Sequence, residues 1–378
     1  MAQIQVVVVG GSANALGVLR SLPHCQLTLL CDSQSAPAWH SRFGQKKLVA
    51  DTKAPGIVQD LFALAPTFAG VKPVLLLTEE KTVLHVSAAR DALAPFYQFL
   101  FCPHPQLVAL QSKEGFAEAA QQAGSPVPQG VVLHSAADLA AIEALQYPCV
   151  FKPLEQNEAY SRKFKKAYKV QSAAEVTTLY QQIEPVLSEM IVQEWLEGPD
   201  SAIYFCLAFY DQNSKLVQSF TGRKLRSWPL QVGGTAACTS APEAAAELEA
   251  LTTQFVRAIG YTGLIGMEFK FDANRGGYYM IEPTVGRTDY QHEIATLSGT
   301  NLLAAIVAFF AGEPAPAVRA KHNVVWFDEI ADANALAHGA PADQCPGYNQ
   351  VAAVRRLTDP LPGIQALLQR VKRRFKRR

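Results

Sequence analysis

Four short apolar segments, each closing on a glycine or an acid, decide what the first third of this chain can become. IQVVVVG (4–10), QLTLLCD (26–32), KLVAD (47–51) and VKPVLLLTEE (71–80) have the length of strands. The runs are rich in branched aliphatic residues and largely lack polar alternation, as strands covered on both faces must. The stretch from Ala15 to Leu22 has the character of a helix between the first two strands. This βαβ rhythm predicts an open, parallel, Rossmann-like α/β sheet with ligand-facing loops at the carboxyl ends of its strands. The opening MAQIQVVVVGG has no basic residue before its apolar run, which is the length of a strand rather than of a signal peptide or a membrane span.

Beyond Ser112 the pattern changes. A helix is expected from Lys113 to Ala123, stopped by Gly124 and the proline-rich SPVP (125–128). Strands follow at 131–133, 148–153, 167–171, 190–196, 201–210, 215–222, 263–272 and 276–283. That order describes a largely antiparallel α+β unit. At 378 residues the chain exceeds what one core organises, and 49 % hydrophobic with 18 % charged residues is the balance of a globular protein. Its seven cysteines are scattered without a Cys-x-x-Cys pair, which excludes a zinc site or disulfide framework and suits a reducing cytoplasm. The formal charge of +1 conceals seven basic groups in RVKRRFKRR (370–378), leaving about −6 on the rest. Basic charge confined to a terminus argues against nucleic acid as a partner.

Five places carry chemistry. MEFKFDANRGGYYMIEP puts Glu268 and Glu282 on consecutive strands joined by a turn at 274–277. If the hairpin closes there, both carboxylates share a face, and such a pair repels unless a divalent cation lies between them. Two solvated acids on an exposed hairpin would look the same. Lys152 lies inside the apolar strand YPCVFKP, where an ammonium needs an anion. Lys113 opens a helix, where side chain and free N–H groups can both serve phosphate. In QEWLEGPD (193–200), Gln193, the backbone of Glu194 to Leu196, and Asp200 can read an adenine edge and a ribose. Each of these also has an ordinary structural explanation.

Taken in order, Lys113, Lys152, QEWLEGPD, Glu268 and Glu282 resemble the ATP-grasp superfamily, whose folds include biotin carboxylase and D-Ala-D-Ala ligase. The resemblance covers roughly residues 4 to 313. It implies a Rossmann-like domain at 1–110, nucleotide-clamping α+β subdomains at 111–195 and 196–315, and a C-terminal extension at 316–378. It also implies that Lys113 and Lys152 contact nucleotide phosphates. Gln193, Glu194 and Leu196 would hold adenine, Asp200 the ribose, and Glu268 with Glu282 would ligate Mg²⁺ or Mn²⁺. HSRFGQKKLVAD (40–51), TGRKLRSWP (221–229) and VGGT (232–235) are similar to the predicted carboxylate–amine ligase branch, often found in surface-polysaccharide and natural-product settings. The implied activity is ATP-dependent amide formation through an acyl phosphate, between an amine and a small or saccharide-linked carboxylate.

Two departures matter. Glu282-Pro283-Thr284 stands where relatives read Glu-x-Asn, with Arg287 one position late. The loop 154–167, glycine-rich in relatives, has no glycine and instead holds Arg162, Lys163, Lys165 and Lys166. Both leave room for a non-catalytic nucleotide-binding scaffold. A nicotinamide-dependent oxidoreductase is the remaining alternative, although GGSANALG (10–17) followed by Asp32 lacks the Gly-x-Gly-x-x-Gly fingerprint. In GRKLR (222–226), Arg223, Lys224 and Arg226 alternate along an extended segment. Those pointing inward, with Arg287, are expected to steady transferred charge. Finally, Ile364, Leu367, Leu368, Val371 and Phe375 share one helical stripe beside the basic tail. The helix either lies in an anionic membrane surface or packs on the body with a solvated basic end.

Overall fold

The computed structural model describes residues 4–155 and 157–375 and contains three sheets. The first is parallel, with strands β1 (Gln5–Val9), β2 (Gln26–Cys31), β3 (Gln45–Leu48) and β4 (Val74–Leu77) in the order β3-β2-β1-β4. Val6 to Val9 are fully buried at its centre. Edge strand β3 lies two residues earlier than its apolar pattern suggests, because it needs one partner and only half-burial. Lys46 folds back there onto the carbonyls of Ser41, Phe43 and Gly44. The turn after β1 is built for close approach. At Gly10 (φ +132°) an added Cβ would lie 2.0 Å from Thr78 Oγ1, which donates to the Val9 carbonyl. Gly10 thus serves a tight strand exit, while Gly17 lies in the next helix against His292 and Glu293.

The helix Lys113–Gln122 follows. Ser112 caps it by accepting from Gly115 N at 3.0 Å, and Gly124 ends it at φ +63°. The second sheet comprises β5 (Gly130–Leu133), β6 (Cys149–Pro153), β7 (Tyr168–Val170) and β8 (Met190–Glu194), antiparallel in the order β5-β8-β6-β7. Helix Ala173–Ile183 presents Val176, Tyr180 and Ile183 to Leu133, Phe151, Met190 and Val192, forming an apolar core of its own.

The third and largest sheet holds β9 (Ile203–Tyr210), β10 (Leu216–Trp228), β11 (Gly234–Ser240), β12 (Gly263–Asp272), β13 (Gly277–Val285), β14 (Val324–Phe327) and β15 (Asn349–Ala352). Their order is β13-β12-β9-β10-β11-β14-β15. The last two strands arise from the segment expected as an extension: β14 pairs antiparallel with β11, and β15 parallel with β14. The C-terminal segment therefore completes the large sheet. One face of this sheet shares an apolar core with the parallel sheet, through Val7, Val9, Met267 and Phe269. The other joins Leu16, Phe205 and Trp326.

Candidate functional site

A cleft opens where the second and third sheets face one another. Its walls come from the start of helix Lys113–Gln122 (Gln111 to Ala117), from Lys152, Ile191 and Gln193 of the second sheet, and from Met280 to Val285 of β13. Glu80 and Arg287 close one end, 3.9 Å apart, so the parallel sheet also reaches the site.

The turn at Asn274–Gly277 sets the register of the β12–β13 hairpin. Asp272 Oδ1 accepts from the backbone N–H groups of Asn274 and Arg275, and Gly276 takes φ +66°. Glu268 then falls directly opposite Glu282, with the register shifting one residue farther on, where Phe269 faces Met280. Paired positions share a face, so the two carboxylates lie side by side. Glu282 lines the cleft, while Glu268 lies deeper and accepts an ion pair from the buried Lys224 ammonium at 2.7 Å. Burial pushes the Glu268 carboxyl above its ordinary range, Lys224 opposes that, and the charge of Glu282 adds to it. Burial works against the Lys224 charge, but Glu268 outweighs it and the ammonium is held above its ordinary value.

Across the cleft, Lys152 projects from β6. Among the described residues its ammonium has no hydrogen-bonding or ion-pairing partner. Burial pulls its pKa down, and Glu282 restores only part of the loss. Lys113, also lowered by burial, donates to the Leu154 carbonyl from the first turn of its helix. Gln111 is a functional candidate that sequence reasoning missed. Both atoms of its amide are buried against the cleft without a partner. Its pattern in the chain is that of an ordinary last helical residue, and its isolation arises only from tertiary packing.

Other expected residues lie elsewhere. Glu194 is buried, its carboxylate held by Arg275 at 2.8 Å and its N–H donated to the Gln129 carbonyl at 2.8 Å. Leu196 is buried beside it. Asp200 uses both oxygens on backbone, accepting from Ser227 N at 3.1 Å and Gln231 N at 2.9 Å, so it caps the β10–β11 connection. The alternation expected for Arg223, Lys224 and Arg226 is broken by a register shift between Lys224 and Arg226. Lys224 turns to Glu268. Arg226 instead pairs with Asp332 at 2.5 Å and donates to the carbonyls of Pro341 and Ala342. Arg223 and Arg226 both act on Cys345 of that same C-terminal segment. Arg226 therefore holds the C-terminal segment, and neither arginine lines the cleft.

The glycine-free loop is partly a helix, Glu158–Lys163, capped by Asn157 accepting from Tyr160 N at 2.8 Å. Arg162 pairs with Glu158, Lys165 lies over the Tyr168 ring, and Lys166 reaches the Val232 carbonyl at 3.2 Å. None of the four basic side chains lines the cleft, although the Lys166 charge acts on both Lys113 and Lys152.

No family model matches the chain. Its likeness is structural. A biotin carboxylase–β,γ-ATP complex from Campylobacter jejuni superposes with a TM-score of 0.63 at 14 % identity, covering 84 % of this chain and 73 % of that one. N5-carboxyaminoimidazole synthetase from Staphylococcus aureus, complexed with ADP, superposes at 0.61 with 15 % identity, covering 83 % and 78 %. The chain has the ATP-grasp fold. Among curated proteins, the D-aspartate ligase of Enterococcus faecium (strain Aus0004) is 22 % identical over 316 residues, covering 78 % of this chain and 74 % of that protein.

The cleft's donor set offers cationic and amide donors on one side and carboxylates on the other. An unpartnered ammonium at Lys152 and an orphaned amide at Gln111 suit a nucleotide. Two opposed carboxylates suit Mg²⁺, which takes few protein oxygens and fills its shell with phosphate and water. Among the described residues no group of three or more His, Cys, Asp or Glu side chains is placed to hold a metal ion.

Proposed function

We propose that the chain is an ATP-dependent carboxylate–amine ligase. The observation that carries this reading is the opposition, across one cleft, of the unpartnered Lys152 ammonium and the paired carboxylates Glu268 and Glu282. One side suits phosphate and the other suits the cation that accompanies it. Lys152 and Lys113 bind and orient the phosphates. Gln193 and Gln111 face the base, and Glu268 with Glu282 hold Mg²⁺, or Mn²⁺ in its place, which would neutralise phosphate charge. Lys224 favours the charged form of Glu268 against its burial, and Arg287 steadies the transferred phosphoryl group. The substrate carboxylate attacks the γ-phosphorus, releasing ADP and giving an acyl phosphate. The amine then attacks the carbonyl and phosphate leaves. This division of labour relies on positioning and charge neutralisation.

The likeness to a D-aspartate ligase favours amino acids as the first acids to try. The test is ADP release by the purified protein with MgATP, crossing D-aspartate, other D- and L-amino acids and uronic acids with a panel of amines. Release that requires both an acid and an amine supports the reading. MgATP binding by calorimetry with no release from any pair would favour a nucleotide-binding scaffold, and NAD(P) binding in place of ATP would favour the oxidoreductase alternative.

A further inference from the structure

The C-terminal helix Pro360–Phe375 packs on the connection between β2 and β3, around Ser35 to His40, through one side and leaves an apolar stripe on the other. Pro362 and Gly363 are buried, and Gln369 donates to the Ser35 carbonyl at 2.9 Å. Just before the helix, Asp359 is buried and receives Arg20 at 3.1 Å and Ser41 Oγ at 2.8 Å, so its base is fixed. The apolar residues point away from that contact. Leu361 is 52 % exposed, Ile364 49 %, Leu367 62 % and Leu368 47 %. At 3.6 residues per turn these four fall within an arc of roughly 120°. Leu357, before the helix, is also fully exposed. The helix thus packs on the body by one side while these four side chains stay about half exposed on the other. The side chains of Val371 and of residues 373–378 lie outside the described residues, but the sequence continues as RVKRRFKRR directly from the stripe.

We infer that this helix docks the protein on an anionic phospholipid surface, lying in the plane of the interface. Several aliphatic side chains held outward on one face of a fixed helix have no use in water. The dense positive charge that follows them selects the partner. A bilayer of anionic headgroups satisfies both features together, taking the stripe among acyl chains and the cations among phosphates. A nucleic acid would use the charge and leave the stripe in water. A second copy of the chain would cover the stripe and bring two strongly basic tails together. Among the described residues no helix is long and apolar enough to cross a membrane, so the attachment is peripheral and reversible.

Co-sedimentation of the full chain with vesicles tests the inference, using phosphatidylglycerol–phosphatidylcholine mixtures against phosphatidylcholine alone. The intact protein is expected to pellet with the anionic vesicles at low salt, at least tenfold less with neutral ones, and less again at high salt. The triple variant Ile364→Ser, Leu367→Ser, Leu368→Ser changes exposed positions and keeps the fold. It and a deletion of 370–378 should each reduce binding at least tenfold. Absence of pelleting by the intact protein overturns the inference. Binding lost on tail deletion but unchanged in the triple variant also overturns it, in favour of a purely electrostatic contact. A dimer that the triple variant dissociates, without vesicle binding, assigns the stripe to a second copy.

Discussion

Lys224 and Glu268 meet across the intervening strand β9, ammonium to carboxylate at 2.7 Å, both side chains largely out of water. The same carboxylate stands opposite Glu282, so one acid is shared between a lysine behind it and a like charge in front. The two glutamates should therefore differ in consequence although both are proposed metal ligands. Glu268→Gln strands a buried ammonium and should cost on the order of 3 kcal/mol of stability. Glu282→Gln removes a repulsion and should leave stability unchanged or improved. Both should abolish Mg²⁺-dependent tightening of ADP binding, read by calorimetry with and without EDTA. Equal stability of the two variants in urea would contradict the assigned geometry, and retained Mg²⁺ dependence in both would remove the metal assignment.

Lys152 presents the opposite case, a desolvated charge whose partner is absent from the described residues. Lys152→Met keeps the length and apolar stem. ATP affinity should fall tenfold or more, about 1.4 kcal/mol, while the urea midpoint stays level or rises. A lysine with a structural role would give the reverse, lower stability with unchanged ATP affinity.

Gln111 should behave likewise in an uncharged form. Leaving both amide atoms buried without partners costs roughly 1–3 kcal/mol, so Gln111→Leu should stabilise the ligand-free protein by about that order. The same change should weaken nucleotide binding. Thermal shift with and without ATP reads both effects. A destabilised apo variant would show that the amide has partners the proposed role does not allow.

His292 predicts a pH dependence that no ligand is needed to observe. It is buried, its Nε2 3.2 Å from the Asn14 carbonyl oxygen, and burial drives its pKa down to about 4. The unfolded chain takes up a proton near pH 6.5 that the folded state refuses until about pH 4. The unfolded state therefore binds more protons throughout that window, and stability falls as pH falls through it. From pH 7 to 5 this group alone should remove about 2 kcal/mol. In His292→Gln, urea denaturation at the two pH values should show a drop smaller by that amount. A drop of the same size would mean that His292 does not report the acid sensitivity.

The parts of the site that could be read from sequence are those fixed by local chemistry. The turn at 274–277 sets which residues of β12 and β13 face each other, so the opposition of Glu268 and Glu282 follows from the fifteen residues 268–282. Ser112 and Gly124 bracket their helix by capping rules that operate within one turn. Strand alternation failed at GRKLR because a single register shift rotates Arg226 away from Lys224, and nothing in five residues signals it. Strands β14 and β15 span four residues each, and the second is half polar because it lies at a sheet edge. The isolation of Gln111 depends on three distant segments packing around it, beyond the reach of periodicity.

The second sheet keeps its apolar core to itself, and this shapes how material enters and leaves the cleft. Contacts that tie it to the rest include Lys113 to Leu154, Arg275 to Glu194 and Lys166 to Val232, all polar. Swinging it outward exchanges such contacts for hydration and leaves every aliphatic cluster intact. If the proposed ligase activity holds, a rigid-body hinge of this sheet would open the cleft without breaking its apolar core.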